Sequence, residues 1–292
     1  MFVVTLLTDP ETPVLERVTV ESLRDAWAGG KARWLDPGVA AEFDLDAFPG
    51  NRWQVWESLQ ALRIDMVVQK AEGRKKRLLI ADMDSTMIRQ ECIDELADEA
   101  GVGARVAEIT ARAMNGELDF EGALRERVGL LKGLPEEVIA RVLRDRITLM
   151  PGGEVLLTTM KAQGAHAALV SGGFTAFTAA VAEQLGFDEN RANALHVADG
   201  LLAGTVAEPI LGKEAKLLAL QEITARLGIS PAEAIAVGDG ANDLPMLLAA
   251  GTGVALHAKP RVQAECEVRV NHGDLTALLY LQGYSRDEFA RV

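Results

Sequence analysis

The chain has 292 residues, with 43 acidic against 30 basic side chains and a formal net charge of −13. That balance argues against a nucleic-acid binder, whose phosphate contacts need a basic surface, and against attachment to an anionic membrane. It leaves room for a phosphorylated small molecule, because local cations override a global field. Apolar residues at 49% and charged residues at 25% are ordinary globular values, so a packed chain rather than a disordered one is expected. The length suits one large domain with a smaller companion. Cys92 and Cys266 are the two cysteines, far apart and in no metal-type spacing, which suggests reduced thiols in a reducing compartment. The start of the chain lacks a basic region and turns acidic and proline-bearing within ten residues, unlike a signal peptide. Apolar runs elsewhere are too short to span a bilayer. A soluble, cytoplasmic protein is expected.

In chain order, residues 1–70 read as strand (2–7), helix (13–28), strand (32–36), strand (41–45), helix (52–62) and strand (64–69), punctuated by Gly29-Gly30 and Pro49-Gly50. That βαββαβ order suits a small split-βαβ domain. Residues 71–77 are cationic and contain Gly73, which reads as a solvated linker. From Leu78 to residue 292, apolar strands (78–81, 167–170, 234–237, 252–256) alternate with helical patterns (153–163, 174–185, 213–227, 244–250). Such alternation implies a parallel sheet with helices on both faces. Residues 88–150 break the rhythm with three or four helical patterns and no convincing strand, as a helical insertion over the end of the sheet would. Residues 194–206 read as a β-hairpin turning at Asp199-Gly200.

The most informative peptide is Leu78-Leu79-Ile80-Ala81-Asp82-Met83-Asp84-Ser85-Thr86. Its apolar run reads as a strand buried on both faces, and the two aspartates at i and i+2 point to one side where strand geometry persists. Open α/β sheets bind ligands at this end of their strands. Crowded carboxylates raise one another's pKa, and such a pair suits a cation, a proton or chemistry. On its own the pair reads equally as a capping aspartate beside a solvated one. Three more segments carry related signals. Val170-Ser171-Gly172-Gly173-Phe174 places a hydroxyl and two glycines between a strand and a helix, where backbone amides can meet an anion. Gly238-Asp239-Gly240-Ala241-Asn242-Asp243 brings two carboxylates and an amide to another strand end, without the spacing of an EF-hand. Lys216 stands near the start of the preceding helix, against the helix dipole, with Lys213 as its nearby rival. Hard carboxylate oxygens call for Mg²⁺, and a hydroxyl, a lysine and free amides call for a phosphoryl group.

These segments, in this order, resemble the haloacid-dehalogenase superfamily of aspartate-nucleophile phosphatases over residue 78 to the C-terminus. The runs from Asp82 to Gly101 and from Asp119 to Gly133 are similar, more narrowly, to the phosphoserine phosphatase family. The resemblance implies a Rossmann-like parallel-sheet core, a helical cap inserted after the first core strand, and hydrolysis of O-phospho-L-serine as the last step of phosphorylated serine biosynthesis. It implies that Asp82 attacks phosphorus to form an aspartyl-phosphate. Asp84 would protonate the leaving oxygen and then activate water. Mg²⁺ would be held by the Asp82 and Asp239 carboxylates and the Asp84 main-chain carbonyl, with Asp243 steadying its waters. Ser171, Gly172 and Lys216 would hold the phosphoryl oxygens, and Asn242 would lie beside the substrate. Glu91 would meet the substrate ammonium and Arg127 its carboxylate, with Phe120 as a lid residue.

The resemblance leaves rivals: a phosphatase for another small phosphomonoester, a transferase passing phosphate to an alcohol such as homoserine, or an amino-acid-sensing regulatory protein. The last rests on the N-terminal segment, which resembles ACT-type ligand-binding modules in topology and position. Such modules often pair, so a homodimer is expected. No histidine pairing suits a zinc site or a histidine nucleophile.

Overall fold

The computed structural model describes residues 1–114 and 117–291. Its N-terminal part runs β1 (Phe2–Leu7), α1 (Arg17–Ala26), β2 (Arg33–Asp36), β3 (Ala40–Leu45), α2 (Arg52–Gln60) and β4 (Asp65–Lys70). The strands form an antiparallel sheet in the order β2-β3-β1-β4, the ACT-like arrangement expected. Alternation in β1 explains why it is buried on both sides. Val4 and Leu6 meet Leu15, Val20 and Leu59 beneath the two helices, whereas Leu7, Ala40 and Val67 join the core of the larger body.

The larger body is a parallel sheet of six strands, ordered β12-β11-β10-β5-β6-β7. The chain enters it at β5 (Leu78–Ala81) and leaves at once into the cap, made of α3 (Cys92–Glu99), α4 (Gly103–Met114), α5 (Phe120–Gly129) and α6 (Glu137–Asp145). It returns through α7 (Gly153–Ala162), β6 (His166–Phe174), α8 (Thr175–Leu185) and β7 (Glu189–Asn193). A hairpin of β8 (Leu195–Ala198) and β9 (Leu201–Val206) turns at Asp199 and Gly200, both at positive φ (53° and 74°), as a two-residue hairpin demands. Then come α9 (Lys213–Leu227), β10 (Ala234–Gly238), α10 (Leu244–Ala249), β11 (Thr252–Leu256), α11 (Pro260–Glu265), β12 (Val268–Val270) and α12 (Ala277–Leu281). Strands β6 and β7 build outward on one side of β5, and β10, β11 and β12 on the other. The β5–β10 boundary is therefore the topological switch point, where a ligand cleft opens. No helix among the described residues is long and apolar enough to cross a membrane.

Several local readings need correction. The helix expected over 13–28 starts only at Arg17, because the Leu15 N–H is drawn to Gly38 O (3.0 Å). The Ser171-Gly172-Gly173 run is not a turn between strand and helix: β6 continues to Phe174, with its register against β7 slipping between Val170 and Phe174. In the slipped stretch the Asn193 amide donates to Gly172 O (2.8 Å), replacing a ladder bond. Strands β7 and β12 escape a sequence reading, one because its Glu-Asn-Arg-Ala-Asn is polar, the other because it is three residues long. The segment 71–77 is pinned along its length. Arg74 pairs with Glu42 (2.7 Å), Lys76 Nζ donates to Ala232 O (2.8 Å), and the Arg77 N–H donates to Glu233 O (2.8 Å).

The two sheets are also joined through Asp65, which is fully buried. Its carboxylate accepts the backbone N–H groups of Asn271 (2.9 Å), His272 (2.8 Å) and Gly273 (3.0 Å) in the loop after β12. Bonds to a buried charge are among the stronger ones, and cutting them strands amides that no other group serves. Asp65→Ala is expected to lose about 2–3 kcal/mol of stability, read as a fall in the urea midpoint. An unchanged midpoint would show the contact to be dispensable.

Candidate active site

Four strand-end and helix-end groups meet at the switch point. Parallel pairing sets Ala81 beside Val237, and the Asp82 N–H continues the ladder to Val237 O (3.0 Å). Asp82 and Asp239 thus leave adjacent strands side by side. Carboxylate oxygens of Asp82, Asp239 and Asp243 lie within 4.8 Å of one another, all three residues buried. Gly238 has to be glycine here, since a Cβ would stand 2.5 Å from Asp243 Cγ. Lys216, on the first turn of α9, reaches behind this group. Its Nζ lies 2.6 Å from Asp82 Oδ1 and 2.5 Å from Asp243 Oδ1. The other Asp243 oxygen accepts the Gly240 N–H (2.9 Å), which leaves both its oxygens engaged.

Asp84 goes elsewhere. One oxygen accepts the Ser171 hydroxyl (3.0 Å), the other the Cys92 N–H at the start of α3 (2.8 Å). Ser171 Oγ in turn accepts the Gly173 N–H (2.8 Å). A Cβ on Gly173 would sit 2.8 Å from Asp84 Oδ2, so this glycine is what lets the carboxylate approach β6. Ser85 turns the chain with a left-handed φ of 54°, and its hydroxyl donates to Glu91 Oε1 (2.7 Å). Glu91 is therefore aimed by the same tight loop that carries the two aspartates.

These groups border a cleft of ≈ 1010 Å³ between sheet and cap. Asp82, Asp84, Asp239 and Ser171 form its floor, and Glu91, Phe120, Arg127 and Asn242 its walls. Phe120 opens α5, and its ring would touch a Cβ at Gly172 (3.1 Å), so the cap lies close over β6. Arg127, near the end of α5, donates to Ala123 O (3.2 Å) and has no carboxylate bound to it among the described residues. Lys216 is not part of the cleft wall; it stands behind Asp82 with its side chain 2% exposed. Lys213, its rival in the sequence, is exposed and lies 3.8 Å from Glu214.

Two side chains near the site escaped the sequence reading. Asn193, buried at the end of β7, bonds Gly172 O and also accepts the Leu211 N–H (2.7 Å), so it ties the β6 end to the approach of α9. Lys259 lies 3.6 Å from Asp239. No motif marks either position. The histidines stand clear of the cleft lining, with His166 on Glu189, His196 on Thr205 and His257 on Gly273 O. Both cysteines are buried free thiols. Burial, with Asp84 close by, pushes the Cys92 thiol far up, as befits a packed rather than reactive sulfur.

The electrostatics define what the floor is suited to hold. Burial raises the Asp82 carboxyl well above the usual range, and Asp243 adds to this against the pull of Lys216. Burial likewise raises Asp239. Burial would lower Lys216, but the Asp243 and Asp82 carboxylates more than offset it and hold the ammonium above its ordinary value. Glu91 is pushed up to about 7, by burial first and by Asp84 next. Burial lowers Arg127, with Asp94 and Glu91 drawing it back. Three close, buried, oxygen-only donors around one lysine have the chemistry of a hard divalent cation site, and a cation there would relieve the strain on Asp82 and Asp239.

Comparison with known proteins agrees with this geometry. The haloacid dehalogenase-like hydrolase model matches residues 79–248. A phosphoserine phosphatase of Streptomyces coelicolor is 45% identical over 256 residues, which cover 86% of this chain. The chain spans 62% of that relative's length. A family hydrolase from Salmonella enterica serovar Typhi superposes with a TM-score of 0.86 at 32% identity, covering 96% of this chain and 98% of the other. A phospho-aspartyl intermediate analogue of a phosphoserine phosphatase superposes at 0.66 with 42% identity, covering 70% of this chain and 98% of the other. The chain belongs to the haloacid dehalogenase-like hydrolase family.

Proposed function

We propose that the protein hydrolyses O-phospho-L-serine to serine and phosphate, with Mg²⁺, through an aspartyl-phosphate on Asp82. The observation that carries this reading is that one cleft holds two chemistries. A buried carboxylate cluster lies at its floor, and an opposed Glu91 and Arg127 stand on its walls. A phosphorylated zwitterion needs both.

Asp82, Asp239 and the Asp84 main chain would hold the metal, with Asp243 behind them. When bound, Mg²⁺ supplies charge neutralisation at the phosphoryl oxygens. Asp82 attacks phosphorus in line, and the P–O bond to serine breaks as the new P–O bond forms. Asp84 gives its proton to the departing serine oxygen, then takes one from the water that opens the aspartyl-phosphate. The hydroxyl of Ser171 steadies Asp84 in this exchange and reaches the phosphoryl group with Gly172. Lys216, 2.6 Å from Asp82 Oδ1, would meet the phosphoryl oxygens once they are carried on that carboxylate. Glu91 receives the ammonium, Arg127 binds the carboxylate, and Phe120 and Asn242 close over the substrate. The same proposal places the enzyme in the cytoplasm and pairs it as a homodimer. Because one face of the N-terminal sheet is packed on the catalytic body, pairing would use its edge or its helices.

Three measurements bear on this reading. Phosphate release from L-phosphoserine is expected to require Mg²⁺ and to exceed release from sugar phosphates. Asp82→Asn is expected to abolish it, at a cost of about 10³-fold or more. Equal turnover of sugar phosphates would sink the specificity, and a fully active Asp82→Asn the mechanism.

Glu91 links pH to binding. A carboxyl raised to about 7 in the substrate-free enzyme must release its proton to meet an ammonium, so binding weakens as pH falls through 7. Calorimetry of phosphoserine binding to the Asp82→Asn protein, which does not turn the substrate over, at pH 6.5 in two buffers of different ionisation enthalpy, is expected to show proton release. The substrate phosphate titrates near pH 6, so Glu91→Gln in the same background is the control. Equal proton release in both proteins would remove Glu91 from the ammonium site. For the dimer, light scattering that returns the monomer mass of 31.3 kDa would reject it.

A further inference from the structure

Two lysines flank the carboxylate cluster, and they are held in opposite ways. Lys216 is buried and bonded to two carboxylates. The side chain of Lys259 is 54% exposed, and its Nζ stands 3.6 Å from Asp239 Oδ2, beyond hydrogen-bond length. No other cation pairs with Asp239 among the described residues. The stem of Lys259 is nevertheless fixed. Its N–H donates to Asp239 O (3.1 Å). Two residues earlier, His257 holds a left-handed φ of 45°, with its N–H on Val270 O (2.8 Å) and its ring on Gly273 O (2.8 Å). Gly273 is itself held by Asp65. A rigid root and a loosely paired tip, on the wall of the same cleft, suit a side chain that changes partner.

We propose that Lys259 is a partner-exchanging cation: it pairs with Asp239 in the metal-free enzyme and turns to the phosphoryl group of the substrate when a divalent cation takes Asp239. The doubly charged ion competes for the same oxygen and repels the ammonium. A flexible four-carbon stem lets the ammonium follow the next dianion to enter. Metal and lysine therefore compete while substrate is absent, and the lysine assists binding afterwards. Merely structural packing would not produce that pair of opposite effects.

The inference rests on the assignment of Asp239 to the metal, and the two can fail separately. The test is isothermal calorimetry of Mg²⁺ with substrate-free protein, beside inhibition of the Mg²⁺-loaded enzyme by inorganic phosphate. Lys259→Met is expected to bind Mg²⁺ about two- to fivefold more tightly than wild type, the range of a loose exposed pair. It is expected to bind phosphate about tenfold more weakly, and Lys259→Arg to restore both. Wild-type protein that takes up no Mg²⁺ overturns the metal assignment. Wild-type uptake with unchanged or weaker Mg²⁺ binding in Lys259→Met overturns the exchange alone, as does unchanged inhibition by phosphate.

Discussion

The ammonium of Lys216, clamped between Asp82 and Asp243, is the interaction on which the rest of the site depends. Buried like charges repel strongly, and the backbone bonds from Met83 N–H to Asp82 (2.8 Å) and from Gly240 N–H to Asp243 (2.9 Å) offset the desolvation of three carboxylates only in part. One cation behind them, bonded to two of the three, holds the arrangement together. Nothing local favours that cation: it sits in the first turn of α9, where the helix dipole opposes it. Its position is therefore set by the carboxylates, and theirs by the parallel register of β5 and β10. The cluster and the sheet specify each other.

The same loop that brings Asp82 to the cluster takes Asp84 away from it. Two aspartates two residues apart would share an environment on a regular strand. Here the strand ends at Ala81, Ser85 adopts a left-handed conformation, and Asp84 is drawn to Ser171 and the Cys92 N–H. The separation gives one carboxylate a cationic setting and the other two neutral donors, which is the asymmetry a nucleophile and an acid/base require. It also welds chemistry to recognition. Asp84 caps the first helix of the cap and Ser85 aims Glu91, so the loop that holds the nucleophile orients the residue proposed to recognise the amino group.

What the sequence revealed follows from where the signal is local. The apolar runs that end in Asp82 and Asp239 mark buried parallel strands, and such strands are legible because both faces demand apolar residues. The helical insertion was legible by the absence of strands, the hairpin by Asp199-Gly200. Glu91 and Arg127 were legible as a pair only through the family resemblance: by local pattern alone they read as surface charges, and it is the cap's placement over the sheet that turns them to one cleft. Asn193 and Lys259 carry no motif, since the role of each is defined by what it reaches across the fold. Strand β7 was missed because, at the sheet edge, its side chains are polar. The Ser171 run was misread as a turn because its glycines signal close approach, and here what approaches is the Asp84 carboxylate.

The joints of the cap constrain how the cleft can open. The two ends of the insertion are stitched together: the Arg89 N–H donates to Thr148 O (3.0 Å), the Thr148 N–H to Gln90 Oε1 (2.9 Å), and the Met150 N–H to Met87 O (2.9 Å). The far side of the cap is bridged to the β8–β9 hairpin, where the Leu202 N–H donates to Leu134 O (2.8 Å) and the Gly133 N–H to Leu202 O (2.8 Å). A cap bonded at both places cannot lift as a free lid. Movement that admits substrate must either carry the hairpin along or be confined to the segment between these ties, which contains Phe120 and Arg127. Phe120 and Arg127 lie on α5 in the cleft wall, whereas Glu91 is anchored to the floor through Ser85. The ammonium end of a phosphoserine would therefore meet a fixed partner, and its carboxylate end a partner able to close upon it.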